Sequence, residues 1–144
     1  MTSQDRIAAA NTLFHSRWKE LGEENLYPFE HTYIALFWLF GNVFNGGFDM
    51  YFLESSGDLA PLALDGLRQI GAKNTEFILK DALDAFGEDG YTTDCNLRRD
   101  KLDALPDPQF DVLNRKFHES SDATSALALE WLAGEYDRIG LTGS

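Results

Sequence analysis

The sequence predicts an all-α protein, a compact single-domain bundle of about seven or eight short helices around a buried central helix from about Pro28 to Phe44. Three observations support this class. The chain has 144 residues and is 44% hydrophobic, which suits one domain with one core. Apolar residues recur at helical spacing along most of it. Strand patterns are weak, and the best strand candidate, Tyr91 to Thr93, is too short to support a sheet.

The first half of the chain predicts three helical segments. The first helix ends at Gly22, a typical C-cap, after a narrow apolar stripe made of Ile7, Ala10, Phe14, Trp18 and Leu21. The second, central helix begins near Pro28 and is apolar on nearly every side, so we expect it to be buried. A short helical or turn segment from Phe48 to Leu53 follows.

The second half predicts five further amphipathic segments. Gly71 is expected to stop the first of them, and Asn74 is a plausible N-cap for the next. Two prolines, Pro106 and Pro108, separate the third from the fourth. The five segments span about 58–70, 75–86, 97–105, 110–117 and 123–138.

The last helix carries a second apolar patch. Leu127 and Trp131 point nearly opposite to the stripe of that helix, so something must cover them. Another helix of the same chain is one candidate. A homodimer contact is the other, because exposed aromatic patches often mark interfaces.

Charge is the most distinctive bulk property. The chain has 24 acidic and 12 basic residues, a net charge of -12, which argues against direct binding of nucleic acid. The excess is segregated, because no lysine or arginine lies between Lys19 and Arg68, from 81 to 97 or from 117 to 137. Any charged partner should therefore be basic. The single cysteine, Cys95, and the lack of a signal or membrane-spanning run lead us to expect a cytoplasmic protein.

Familiar catalytic and cofactor motifs do not fit this sequence. The three histidines and Cys95 are too scattered for a zinc site, and Ser55-Ser56-Gly57 lacks the first glycine of a nucleophile elbow. Gly46-Gly47 is not followed by the glycines or the lysine of a phosphate-binding loop. We therefore expect no enzyme, no cofactor and no metal ion. A carboxylate site of unrecognised type is the alternative.

One run of residues carries a family resemblance. The motif Asn45-Gly-Gly-Phe48 is followed by Tyr51-Phe52 and Ser55-Ser56-Gly57, and later by Ile70-Gly71-Ala72. This pattern, over about residues 35–86, resembles the bacterial family of DNA-mimic protein nineteen. Met50 and Glu54 depart from the family, which usually has Gln and Asn there. On physical grounds the motif favours architecture: the glycines can break the central helix, Asn45 can cap, and the aromatic residues can fill the core.

The resemblance implies a helical domain whose carboxylates imitate DNA phosphates and occupy the basic groove of a DNA-binding protein, such as a repressor, nucleoid protein or nuclease. Such a protein would be an inhibitor that acts in transcription regulation. An immunity protein against a toxin, or a structural dimerisation module without mimicry, are the alternatives. Candidate partner-binding residues are Asp49, Glu54, Asp58 with Asp65, the row Asp81, Asp84 and Glu88, and Asp89.

Overall fold

The computed structural model describes residues 2–88, 90–106 and 108–141. Within these ranges it has six α-helices, two short 3-10 turns and no strand, so the predicted all-α class is confirmed. The helix count was predicted slightly too high, because two pairs of expected segments are each one helix. The helices are α1 (Ser3–Leu21), α2 (Pro28–Leu53), α3 (Ala60–Gln69), α4 (Lys73–Asp84), α5 (Cys95–Asp103) and α6 (Asp111–Arg138), with 3-10 turns at Glu23–Asn25 and Ser55–Leu59.

Helix α2 is the centre of the fold. It packs against α3, α5, α6 and the second 3-10 turn, while α6 also contacts α1 and α4. It was expected to end near Phe44, but it continues to Leu53 through a kink at Gly47, whose φ is 75°. The backbone N–H of Phe48, released by the kink, donates to Asn114 Oδ1 at 2.9 Å. The acceptor thus comes from α6 and not from the neighbouring Asn45.

The aromatic residues after the kink fill the core, as predicted. Phe48, Tyr51 and Phe52 are fully buried, and the Phe52 ring lies 5.5 Å from that of Phe110. Burial along α2 is less complete than expected, however. Phe37, Trp38 and Phe44 are exposed, so this helix keeps an apolar surface.

Helix α6 joins two segments that were predicted to be separate. Hydroxyl side chains at and after the expected gap bond to carbonyl groups of the same helix. Ser121 Oγ donates to His118 O at 3.0 Å, and Thr124 Oγ1 donates to Ser120 O at 2.9 Å. Thr124 Oγ1 also lies 2.6 Å from Thr75 Oγ1 of α4, which fixes α4 on α6.

A buried carboxylate ties three helices together. Glu30 of α2 is completely buried, and its oxygens accept hydrogen bonds from Arg17 Nε (2.8 Å), from Arg17 NH2 (2.9 Å) and from Tyr136 OH (2.6 Å). Burial alone would raise the pKa of Glu30, but the hydrogen bonds from Arg17 and Tyr136 outweigh it and hold the pKa below its usual value. The carboxylate therefore stays ionised and clamps α1 and α6 onto α2.

Candidate protein-binding surface

The predicted carboxylates lie on the surface. Asp89 falls outside the described residues, and every other member of the set is solvent-exposed. These exposed members are Asp49, Glu54, Asp58, Asp65, Asp81, Asp84 and Glu88. The structure distributes them over separate regions of the surface.

The first region is the C-terminal end of α4. Asp81 and Asp84 both lie in its last turn, opposite the buried residues Ile78, Leu79 and Ala82. Glu88 was expected to continue this row on the helix, but α4 ends at Asp84, so Glu88 lies in the following turn. The chain then turns at Gly87, which has a positive φ of 87°. The start of α4 also differs, because its N-cap is Ala72 and not Asn74.

The second region is a cleft beside the C-terminus of α2, with a volume of about 470 Å³. Glu54 and Asp58 lie in it, together with Glu23 from the 3-10 turn after α1. Trp38 forms an aromatic part of the wall. The other lining residues are Asn42, Ser55, Ser56 and Leu59.

Arg98 is buried next to this cleft and bonds to residues on one side of it. Its guanidinium is fully buried and donates to Phe52 O (2.7 Å), to Glu54 O (2.9 Å) and to Asp58 Oδ1 (2.8 Å). Asp58 was expected on a helix with Asp65, but it lies in the 3-10 turn that Arg98 pins to α2. Gly57 has to be small, because a Cβ there would come within 2.9 Å of Arg98 NH2. Asp58 is thus solvent-exposed and also forms an ion pair with Arg98.

Two further predicted residues lie elsewhere. Asp49 shares a groove of about 460 Å³ with Asp103 of α5, lined also by Met50 and Leu53. Asp65 lies on the exposed side of α3 and accepts a hydrogen bond from Gln69 Nε2 at 2.8 Å.

Each of three regions adds an acidic residue that was not among the candidates. Glu23 joins the cleft, Asp103 joins the groove at Asp49, and Glu119 of α6 lies with Asp81 in a groove between α4 and α6. Two of the three were within reach of sequence reasoning, because Glu23 and Glu119 lie in stretches without lysine or arginine. Asp103 gave no such signal.

The two apolar residues predicted to form a patch on the last helix, Leu127 and Trp131, differ in their surroundings. The Trp131 ring packs at 6.3 Å from Phe29 of α2 in an edge-to-face arrangement, so its own chain covers much of it. Leu127 stays 37% exposed beside a groove between α4 and α6. A homodimer contact at Leu127 remains a prediction.

The described ranges contain no group of three or more His, Cys, Asp or Glu side chains that could hold a metal ion. Among the helices that the structure describes, none combines the length and the apolar character needed to cross a membrane. What the described residues share is a set of exposed carboxylates held on helices and pinned turns.

These features define an acidic all-helical protein with exposed carboxylates on its surface. The chain belongs to the DMP19-like protein family, whose model matches residues 24–135. The family takes its name from DNA mimic protein 19. The match confirms the resemblance of the Asn45 to Gly57 motif and extends it well beyond residues 35–86. Searches of curated proteins and of solved structures gave no match.

Proposed function

We propose that this protein is a DNA mimic that binds a basic DNA-binding protein and blocks its access to DNA. Two kinds of support meet here. Membership of the DMP19-like family supports DNA mimicry in general. The exposed carboxylates on α3, on α4 and around the end of α2 provide anionic patches of the kind that a groove evolved to neutralise phosphates can bind.

The observation that carries the proposal is the position of the acidic residues on α4. The C-terminal end of a helix has a partial negative charge, so carboxylates there are unfavourable by about 0.3–1 kcal/mol each. Asp81 and Asp84 occupy the last turn of α4, and no basic residue lies in that turn. Residues that lower stability are retained where function needs them, as active and binding sites show. The acidic end of α4 is therefore better explained by binding than by folding.

Spacing also suits the proposal. Residues three apart on an α-helix are separated by about 4.5 Å along its axis. Phosphates of one DNA strand rise by about 3.4 Å each, so the two repeats are of the same order. Asp81 and Asp84 can thus offer a short segment of a phosphate-like array on a helix that packs against α3 and α6.

The test neutralises this row in the full chain. The variant Asp81→Asn/Asp84→Asn/Glu88→Gln should unfold at a slightly higher temperature, because it relieves the helix dipole. Wild type is first used to capture a protein from host lysate that duplex DNA displaces. The variant should lose at least about tenfold in affinity for that protein. Opposite signs for stability and binding exclude misfolding as the cause.

The matched control removes the same charge elsewhere. Asp100→Asn/Asp122→Asn/Glu130→Gln changes three exposed acidic residues on α5 and α6. It should keep most of the affinity. Equal losses in the two variants would reduce the effect to bulk charge, and a captured protein that DNA fails to displace would contradict mimicry. If the captured, DNA-displaceable protein is a toxic nuclease, the mimic acts as an immunity protein.

A further inference from the structure

An aromatic cluster is exposed next to the acidic cleft. Rings from α1 and α2 lie edge to face: Trp18 is 5.7 Å from Phe37 and 6.2 Å from Trp38, and Phe37 is 5.4 Å from Trp38. His15 continues the cluster at 5.6 Å from Phe37. Phe37 and Trp38 are 37% and 38% exposed, although α2 is the central helix of the fold.

The cluster and the cleft form one continuous surface because Trp38 belongs to both. Its indole lines the cleft that also holds Glu23, Glu54 and Asp58. Neither a lysine nor an arginine lines this cleft among the described residues. Arg98 pairs with Asp58 from the buried side, so Glu23 and Glu54 supply the excess negative charge. The surface therefore combines an aromatic face with two carboxylates.

This combination favours one kind of occupant. An apolar segment bound here would bury the neighbouring carboxylates, which costs free energy unless they are paired. A guanidinium satisfies both parts, because it stacks on an aromatic face and pairs with carboxylates through its planar fork. The same chain shows this geometry in Arg17, whose guanidinium lies 5.0 Å from the Tyr27 ring and is bonded to Glu30. A lysine ammonium would make the same ionic contact but would stack less well on the aromatic face.

We propose that the Trp38 cleft docks an arginine side chain of the protein partner, with the guanidinium over the indole and bonded to Glu54 and Glu23. The inference rests on the proposed function, since both require a basic partner. It adds a contact that a phosphate array lacks, because DNA backbone offers no aromatic face to an arginine. The cleft would thus select arginine-bearing partners from the larger set that the charge attracts.

The experiment uses hexa-arginine and hexa-lysine peptides as probes of the full chain at low salt. Tryptophan indole N–H signals from Trp18, Trp38 and Trp131 are followed by NMR and assigned with single Trp→Phe variants. Hexa-arginine should shift the Trp38 signal most and leave that of Trp131, which packs on Phe29, in place. Trp38→Ala should weaken hexa-arginine binding about fivefold and hexa-lysine binding less.

Two further variants complete the design. Glu54→Gln should weaken both peptides, and Phe44→Ala, which removes an exposed aromatic ring of α2 outside the cleft, should weaken neither. Wild-type affinity for hexa-arginine in Trp38→Ala, or an unmoved Trp38 signal, would overturn the inference. If in that case neutralising α4 still abolishes capture of the DNA-displaceable partner, the proposed function survives alone. If wild type binds neither peptide and captures no such partner, both fail.

Discussion

Two charged side chains inside the protein, Glu30 and Arg98, hold elements that are distant in the sequence. Glu30 reaches Tyr136 across 106 residues, and Arg98 reaches Phe52 across 46. Sequence reasoning identified neither as buried, because Asp, Glu, Lys and Arg are almost never fully buried unless paired. Pairing depends on the tertiary fold, so no local pattern could have identified either one.

The Glu30 clamp predicts a pH-dependent stability. Glu30→Gln should lower the free energy of unfolding by about 3 kcal/mol at neutral pH, because it leaves Arg17 without its ionic partner. The folded-state pKa of Glu30 is lowered, so its contribution is complete above the ordinary value of 4.5 and is lost as the pH falls through the lowered pKa. The gap between wild type and variant should therefore shrink below about pH 4.5. Urea unfolding across the pH range measures it.

A surface pair provides the control for this prediction. Arg6 and Asp137 also join α1 to α6, but both side chains are more than one third exposed. Asp137→Asn should cost less than about 1 kcal/mol. A Glu30→Gln variant as stable as Asp137→Asn, or a gap that widens in acid, would contradict the clamp.

Helix boundaries were predicted well where local chemistry sets them. Gly22 ends α1 with a φ of 78°, Pro28 opens α2, and Gly71 follows α3 with a φ of 77°. Boundaries failed where distant residues decide. Asn114 of α6 accepts a hydrogen bond from the backbone at the Gly47 kink, and Thr75 of α4 bonds to Thr124 of α6. With these contacts, α2 and α6 are each one continuous helix, where local signals predicted a division.

The kink in α2 predicts opposite effects for two glycines of one helix. Gly47→Ala should destabilise by more than about 1 kcal/mol, since its φ of 75° disfavours a side chain and a Cβ would lie 2.6 Å from Asn114 Nδ2. Gly41→Ala should be neutral or stabilise by up to about 1 kcal/mol, because no atom lies within 4 Å of its Cβ position. Thermal unfolding of both variants checks the pair. Equal effects would mean that the kink is not required.

The acidic surface could be predicted as exposed, but its grouping could not. Carboxylates opposite an apolar stripe must face solvent, which holds for Asp65, Asp81 and Asp84. The Trp38 cleft instead joins side chains from 23 to 59 through packing of α2 against the following turn. Its aromatic wall was also unexpected, because the sequence pattern indicated that α2 is buried on every side.

The net charge of -12 predicts that salt has opposite effects on folding and on binding. Repulsion among the carboxylates opposes the compact state, and salt screens it. Raising NaCl from about 0.02 M to about 0.3 M, which shortens the Debye length to below about 10 Å, should therefore raise the unfolding temperature and weaken capture of a basic partner. The variant Asp81→Asn/Asp84→Asn/Glu88→Gln lacks three of these negative charges and should respond less in both measurements. An unfolding temperature that falls with salt would show that local ion pairs such as Arg68–Glu76 outweigh the overall repulsion, and the acidic surface would then cost the fold nothing.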